Sequence, residues 1–340
     1  MNKVKLQDAI ADLIPMIEVA LKRAVDDALI SQPIEMNDMF YYHLGWDDIK
    51  DSSPKTGKRV RPLLLMFCLI ANGGDIEIGL PMAAAVELIH NFSLIHDDIE
   101  DESPKRRGRL ALWKKWGLAQ AINTGDAMFA AGLKTAFLAS RRIEQTTADK
   151  MFEYFSGTCL MLTKGQYLDL AFEQTTRVMV DEYWEMISGK TAALLGCASF
   201  CGAILAGCSI QKSETFLEFG RTLGLAFQVY DDYLGIWGSE AVTGKPINSD
   251  LMEKKQSYPI ILGLQHNQRF IEKWKERTIS KRDSSFLSEV LKQDGIKDLT
   301  LNKAEELTQE AYALIDKLEI AEASRQLLRE FCEMLLTRQY

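Results

Sequence analysis

PMAAAVELIHNFSLIHDDIEDESPKRRGR, residues 81–109, sets a long apolar segment directly against a burst of charge. From Pro81 to His96 the apolar residues recur at three- and four-residue spacing. That spacing predicts a helix, with Pro81 placed where a helix can begin. Asp97 and Asp101 then lie one turn apart on a shared face, with Asp98 beside them and Glu100 elsewhere on the turn. Carboxylates stacked in this way repel unless a cation neutralises them. Magnesium takes one or two carboxylates together with substrate phosphates. The plainer reading, a solvated acidic helix end, fits poorly with an apolar run that leads straight into the acids. Arg106 and Arg107 follow; being adjacent, they can reach two different anions, and guanidinium forks match phosphate oxygens. Acids followed by arginines point to metal and diphosphate in one place, a surface charge run being the alternative.

Working outward, the whole chain keeps the helical period. Apolar spacing of that kind runs from Val4 to about Leu29, Leu118 to Ile143, Met151 to Phe172, Met179 to Leu205, Phe216 to Ile236 and Ala304 to Leu336. Alternating strand patterns closed by Asn-Gly or Asp-Gly are absent. Only 8 prolines occur in 340 residues, so long helices are permitted nearly everywhere. Punctuation falls at 51–54, 72–75, 103–104, 235–249 and 294–295, and none of it looks like a linker. The expectation is an all-α fold in a single domain spanning 1–340, with short helices and loops between about Gln265 and Leu301. Ala192 to Ile210 carries no charge, but its glycines, cysteines and serines favour a helix buried in a bundle over a membrane span.

With 40 Lys plus Arg against 48 Asp plus Glu, the formal charge is −8, which argues against a nucleic-acid partner. An anionic substrate would need cations gathered locally. The amphipathic N-terminus lacks the apolar core and cleavage site of a signal peptide. The six cysteines sit in apolar surroundings without a CxxC. The expectation is therefore a cytoplasmic protein with reduced, buried thiols and no transmembrane segment.

A second acidic doublet, Asp231-Asp232 in GLAFQVYDDYLGIWG, again ends an apolar helix. Two such doublets are far stronger evidence than one. If their helices face each other, several magnesium ions could sit on one diphosphate and help carbon–oxygen cleavage by withdrawing charge. Further cations lie in GKRVRP (Lys58, Arg59, Arg61), SGKTAALL (Lys190, with Thr191) and TGKPINSDLMEKK (Lys245, Lys254, Lys255). Each of these alone is more often ordinary surface charge. The GKT string is no phosphate-binding loop, since Trp184 stands where its first glycine belongs and no strand precedes it. His96-Asp97 hints at a metal-dependent phosphohydrolase, but His43, His90 and His266 are not spaced to support it.

Taken in order, GKRVRP, DDIED with RRG, GQYLDL, GKT, FQVYDD, and TGK with SDL resemble the trans-isoprenyl diphosphate synthases, or polyprenyl synthetases, from about Gly57 to Pro259. The resemblance implies a helical bundle around a deep central cavity, a homodimer, and several magnesium ions per active site. It implies a prenyltransferase that joins isopentenyl diphosphate to an allylic diphosphate (dimethylallyl, geranyl or farnesyl). It makes Lys58, Arg61, His90 and Arg107 the isopentenyl diphosphate site, on a loop shaped by Gly57. It makes Asp97, Asp101 and Asp231 the metal ligands, supported by Asp98 and Asp232. Arg106, Lys190, Thr191, Gln228, Lys245 and Lys255 become contacts to the allylic substrate, with Gln166 nearby. Two departures stand out: Gly235 replaces the last acid of the second motif, and RRGRLAL replaces RRG-x-Pro-Thr.

Product length is a steric matter. Phe92 and Ser93, five and four residues before Asp97, point down the cavity wall that the resemblance implies. One bulky ring there resembles enzymes that stop near twenty carbons, so geranylgeranyl diphosphate is the expected main product, with fifteen or twenty-five carbons as the alternatives. A class I terpene cyclase would share the ionisation chemistry but needs no isopentenyl diphosphate site, and the Asn-x-x-x-Ser-x-x-x-Glu string is absent. A non-catalytic subunit of a heteromeric synthase would be expected to have lost its acids, whereas the first motif is intact here.

Overall fold

The computed structural model describes residues 6–47, 57–240 and 246–337. Helices dominate: α1 (Leu6–Leu29), α2 (Ile34–Leu44), α3 (Val60–Ala71), α4 (Ile76–Glu100), α5 (Leu112–Trp116), α6 (Leu118–Ser140), α7 (Gln145–Glu173), α8 (Val180–Ile187), α9 (Ala193–Leu205) and α10 (Ile210–Trp237). They continue as α11 (Ser249–Met252), α12 (Tyr258–His266), α13 (Gln268–Trp274), α14 (Lys281–Gln293), α15 (Ile296–Lys317) and α16 (Glu322–Thr337). Between α8 and α9 one turn, Ser188–Ala192, is a π-helix. The all-α expectation therefore holds.

The chain resolves into two compact units, each assembled from separate stretches. The first comprises 1–159, 197–217 and 318–328; the second comprises 160–196, 218–317 and 329–340. Four of their boundaries fall inside α7, α9, α10 and α16, and the fifth at the end of α15.

In the first unit, α1 buries Leu6, Leu13, Ile17, Leu21, Val25 and Leu29, a single stripe at helical spacing. This stripe, α2, α4 and α6 share a core that includes Phe40, Leu44, Leu88, Ile95 and Met128. Close helix approach depends on glycine. A Cβ at Gly132 would lie 2.8 Å from Ile89 Cδ1, and one at Gly202 of α9 would lie 2.2 Å from the Leu65 carbonyl oxygen of α3. In the second unit, one core cluster gathers Ile236, Leu251, Ile260, Phe270 and Leu287. A second gathers Phe172, Tyr183, Val229, Ile261 and Leu307.

Three details depart from the sequence reading. Helix α4 begins at Ile76, where the Asp75 side chain accepts the Glu77 N–H at 3.0 Å, so Pro81 lies inside the helix. A proline there deprives the Glu77 carbonyl of its helical donor. The Arg142 guanidinium supplies the replacement at 2.9 Å. The periodic stretch from Ala304 to Leu336 is two helices, the first ending against Arg325, whose Nη2 donates to the Leu318 carbonyl at 3.1 Å. Finally, Lys105–Arg106 and Arg109–Leu110 pair as a small antiparallel hairpin. Its turn holds Arg107 and Gly108 at φ +51° and +75°, the left-handed pair that matches a two-residue hairpin.

Two helical stretches, Ile76–Glu100 and Val180–Leu205, are long and apolar enough to cross a membrane. Within the fold, 67% and 89% of their apolar windows are buried, so they serve as core helices, as expected for the uncharged run. All six cysteines are free thiols, and burial pushes Cys68 and Cys159 up to about 12.

Adding the forbidden methyl tests the α3–α9 packing. Gly202→Ala should lower the unfolding free energy by about 1–3 kcal/mol in urea titration, because neither backbone can retreat without disturbing a filled core. An unchanged midpoint would show that the contact is not tight.

Candidate active site

In the first unit the site is built around a buried arginine. Arg59, at φ +51° just before α3, is only 2% exposed. Its Nε donates to Glu18 Oε1 of α1 at 2.6 Å and its Nη1 to Glu87 Oε1 of α4 at 2.7 Å. Glu87 also accepts from Asn91 Nδ2 at 2.8 Å, and Glu18 from Trp46 Nε1 at 2.9 Å. Arg107 joins the network, donating to Asn91 Oδ1 and to the His43 carbonyl, each at 3.4 Å. Gly57 packs on it: a Cβ there would fall 2.8 Å from Arg107 Nη2. The structure thus brings Gly57, Arg61, His90, Arg106 and Arg107 around one network, with Lys58 exposed beside it.

The electrostatics of this cluster favour an anion. Burial, then the charges of Arg61, Arg107, Arg106 and Arg59, hold the His90 imidazole well below its usual pKa. Burial, then Arg107, Arg106 and Arg59, do the same to His43. Burial also lowers Arg61 and Arg107, with Glu87 opposing the shift. Among the described residues, the buried Arg59 Nη2 and Arg61 Nε have no hydrogen-bond partner. Donors of this kind, gathered where carboxylates do not fully answer them, suit diphosphate oxygens.

The first acidic motif closes α4. Its last turn carries no basic residue, and its carboxylates stand at the end of the helix where the dipole is negative. That placement suits a cation. Asp101 is the C-cap, its N–H bonded to the Asp97 carbonyl at 2.9 Å, so the two acids are stacked one turn apart as expected. Asp98 is different: it is buried and takes Arg106 Nε and Nη2 on Oδ1 at 2.9 and 2.6 Å. Burial raises its pKa, against the pull of Arg106. Asp98 and Arg106 therefore brace the hairpin. The RRGRLAL departure becomes an anchor, since Arg109 pairs with Asp47 and covers the Tyr42 ring at 3.7 Å.

Below the acids, Phe92 packs edge-on against Phe129 of α6 at 4.9 Å and against His96 at 5.7 Å. The His96 ring lies over Gly125, where a Cβ would meet Nε2 at 2.2 Å. Ser93 turns back and donates to the His90 carbonyl at 2.8 Å.

In the second unit, the π-turn presents Lys190 and Thr191. Lys190 pairs with Asp169 of α7. Thr191 Oγ1 donates to Gln228 Oε1 at 2.6 Å, and Gln228 Nε2 donates to Asp232 Oδ1 at 2.9 Å. Asp232 Oδ2 accepts from the Tyr183 hydroxyl at 2.8 Å and the Tyr258 N–H at 2.9 Å. Burial, with Asp250 adding to it, raises the Asp232 carboxyl although Lys255 pulls it down. Burial would raise Asp169 too, but Lys190 and Lys255 more than reverse it. The GQ and GKT glycines are packing devices: a Cβ at Gly165 would strike Lys190 N at 2.1 Å, and one at Gly189 the Met161 carbonyl at 2.5 Å.

Lys190, Thr191, Gln228, Asp232 and Lys255 are thus brought together, with Gln166 one turn from Asp169 on α7. Asp231 is half-buried on α10. Lys245 lies outside the described residues. Lys254 instead holds the Trp274 and Glu276 carbonyls, each at 2.7 Å. Sequence reasoning named Arg59 only as one cation among several and passed over Glu87, Asn91 and Asp169; Asp169 stood in the GQYLDL string, three residues beyond Gln166.

Hard oxygen donors one turn apart at a helix C-terminus fit magnesium, although no group of three potential ligands is assembled among the described residues. That matches an ion completing its shell with phosphate oxygens and water.

Residues 47–292 match the polyprenyl synthetase family model. Geranylgeranyl diphosphate synthase of Mycobacterium tuberculosis is 38% identical over 266 residues, covering 78% of this chain and 73% of that protein. The polyprenyl synthetase structure from Streptomyces coelicolor superposes with a TM-score of 0.87 at 31% identity, covering 97% and 99% of the two chains. A polyprenyl synthase from Caulobacter crescentus, solved with calcium and isoprenyl diphosphate, gives 0.83 at 28% identity over the full length of both. The chain belongs to the polyprenyl synthetase family and is a prenyltransferase.

Two stability predictions follow from the arginine network. Arg59→Ala leaves Glu87 buried without its cation and should cost about 3–5 kcal/mol in urea unfolding. His43 and His90 resist protonation in the folded chain, whereas unfolded histidine titrates near 6.5. Stability should thus be lost as pH falls below about 6.5, and His43→Gln should flatten that loss. Equal acid sensitivity in the variant would remove His43 as a source.

Proposed function

We propose that this prenyltransferase condenses isopentenyl diphosphate head-to-tail with dimethylallyl, geranyl or farnesyl diphosphate, and that its main product is geranylgeranyl diphosphate. The observation that carries this reading is the arginine–histidine cluster directly alongside the first acidic motif. A cyclase has no use for a second diphosphate site of that kind. The product assignment rests on Phe92 and on the mycobacterial relative's name.

In this proposal Lys58, Arg61, His90 and Arg107 hold the isopentenyl diphosphate, and Gly57 lets the loop close onto Arg107. Asp97, Asp101 and Asp231 hold magnesium, several ions per site, while Asp98 and Asp232 keep the motifs in shape. Bound magnesium withdraws charge from the allylic diphosphate and so eases departure of that group. Lys190, Lys255, Lys245 and Arg106 contact the same diphosphate. The oxygens of Thr191 and Gln228 face developing positive charge on the allylic carbons. The isopentenyl double bond then forms the new carbon–carbon bond, and a proton leaves to the departed diphosphate. Apolar walls around Phe92 keep water from quenching the cation. The working form is proposed to be a homodimer in the cytoplasm, without a membrane span or nucleic-acid partner.

Incubating the purified chain with magnesium, labelled isopentenyl diphosphate and an allylic primer tests the reading. The expected product is an elongated diphosphate of twenty carbons; a cyclic hydrocarbon, or nothing, would overturn it. Arg107→Ala should raise the KM for isopentenyl diphosphate about 10- to 150-fold, the loss of one charge-assisted contact worth about 1.5–3 kcal/mol. Phe92→Ala should lengthen the product, and an unchanged profile would remove Phe92 as the floor.

A further inference from the structure

Arg106 and Arg107 are neighbours in the hairpin, yet their charges are met differently. Arg106 faces a carboxylate: its Nε and Nη2 donate to Asp98 Oδ1 at 2.9 and 2.6 Å. Arg107 donates instead to an amide oxygen and a peptide carbonyl, Asn91 Oδ1 and the oxygen of His43, each at 3.4 Å. Both acceptors are neutral, and both contacts are longer than the roughly 2.7–2.9 Å of a guanidinium on a carboxylate. They orient Arg107 without cancelling its charge.

The surroundings of Asn91 fix that arrangement. Asn91 is fully buried on α4. Its Nδ2 donates to the Glu87 carbonyl at 2.9 Å and to Glu87 Oε1 at 2.8 Å. Both amide hydrogens are thereby used, which leaves Oδ1 to face Arg107. Glu87 Oε1 also accepts from Arg59 Nη1 at 2.7 Å. This turn of α4 therefore spends its negative charge on Arg59 and presents a neutral dipole to Arg107. Gly57 confines the same guanidinium, since a Cβ there would fall 2.8 Å from Arg107 Nη2.

We propose that Asn91 is a positioning residue for isopentenyl diphosphate: it holds Arg107 through a neutral oxygen and so leaves the charge of Arg107 to the substrate's diphosphate. This rests on the function proposed above. The chemistry of the side chain matters as much as its place. An aspartate has nearly the same shape, but its carboxylate would take up the charge that the substrate needs.

The test uses the full chain and two variants, Asn91→Asp and Asn91→Leu. One readout is calorimetric binding of isopentenyl diphosphate in magnesium chloride without primer. The other is steady-state kinetics with isopentenyl and dimethylallyl diphosphates. Asn91→Asp should weaken isopentenyl diphosphate binding and raise its KM by about tenfold or more, the loss of one charge-assisted contact, while kcat and the primer KM stay within about threefold. Asn91→Leu removes the acceptor without adding charge and should weaken binding less, by about two- to tenfold. A merely structural role would instead move kcat and both KM values together, and lower the melting temperature with them. Wild-type binding in either folded variant would overturn the proposal, as would equal losses in the two. Should Asn91→Asp not fold, Asn91→Leu still decides by its binding and its KM-against-kcat split. If the wild type binds isopentenyl diphosphate but forms no elongated product, the condensation reading fails while binding still decides the role of Asn91. A wild type that binds no isopentenyl diphosphate overturns both.

Discussion

Arg59 is fully buried, and a buried guanidinium is tolerable only when carboxylates meet it. Glu18 and Glu87 do so from α1 and α4, which ties the N-terminal helix to the helix that carries the first acidic motif. The rest of the first unit's chemistry hangs from this junction. Glu87 orients Asn91, Asn91 meets Arg107, and Arg107 meets the backbone of His43. Glu18 and Glu87 are committed inside, and burial together with the charges of the surrounding arginines holds His43 and His90 well below the usual histidine pKa.

The same economy governs the acids. In each motif one aspartate is engaged in holding the architecture together. Asp98 braces the hairpin through Arg106, and Asp232 locks α8, α10 and the start of α12 together. Adjacent residues on a helix point about a quarter-turn apart, so a doublet naturally offers one inward and one sideward carboxylate. The π-turn at Ser188–Ala192 serves a related end. Its wider turn sets Lys190 against Asp169 and Thr191 against Gln228 within successive residues; Gly165 and Gly189 let α7 come close enough for the first, and Gly224 lets α10 come close enough for the second.

Much of this was legible in the chain itself. Helical periodicity marked the long helices, and the acids, arginines and GKT string stood out because charge beside an apolar run is a local signal. What escaped notice depends on partners distant in sequence. Nothing local distinguishes Glu87 in an apolar helix from a tolerated polar residue until Arg59 is seen against it. Pro81 looked like a helix start because the carbonyl it orphans is rescued by Arg142 from the turn after α6. The hairpin at 105–110 was too short for an alternating pattern, and only the Arg107-Gly108 turn could have betrayed it. Gly235 read as a loss, since the close approach of Asp250 that it permits is visible only in space.

The central claim is that the arginine cluster built on Arg59 receives a diphosphate beside a metal held by Asp97 and Asp101. A crystal structure of the chain grown with manganese and isopentenyl diphosphate tests it most directly. The account predicts diphosphate density within hydrogen-bonding reach of Arg61 and Arg107, and anomalous manganese signal on Asp97 and Asp101. Diphosphate bound elsewhere with those arginines unchanged, or no metal on the two aspartates, would contradict it.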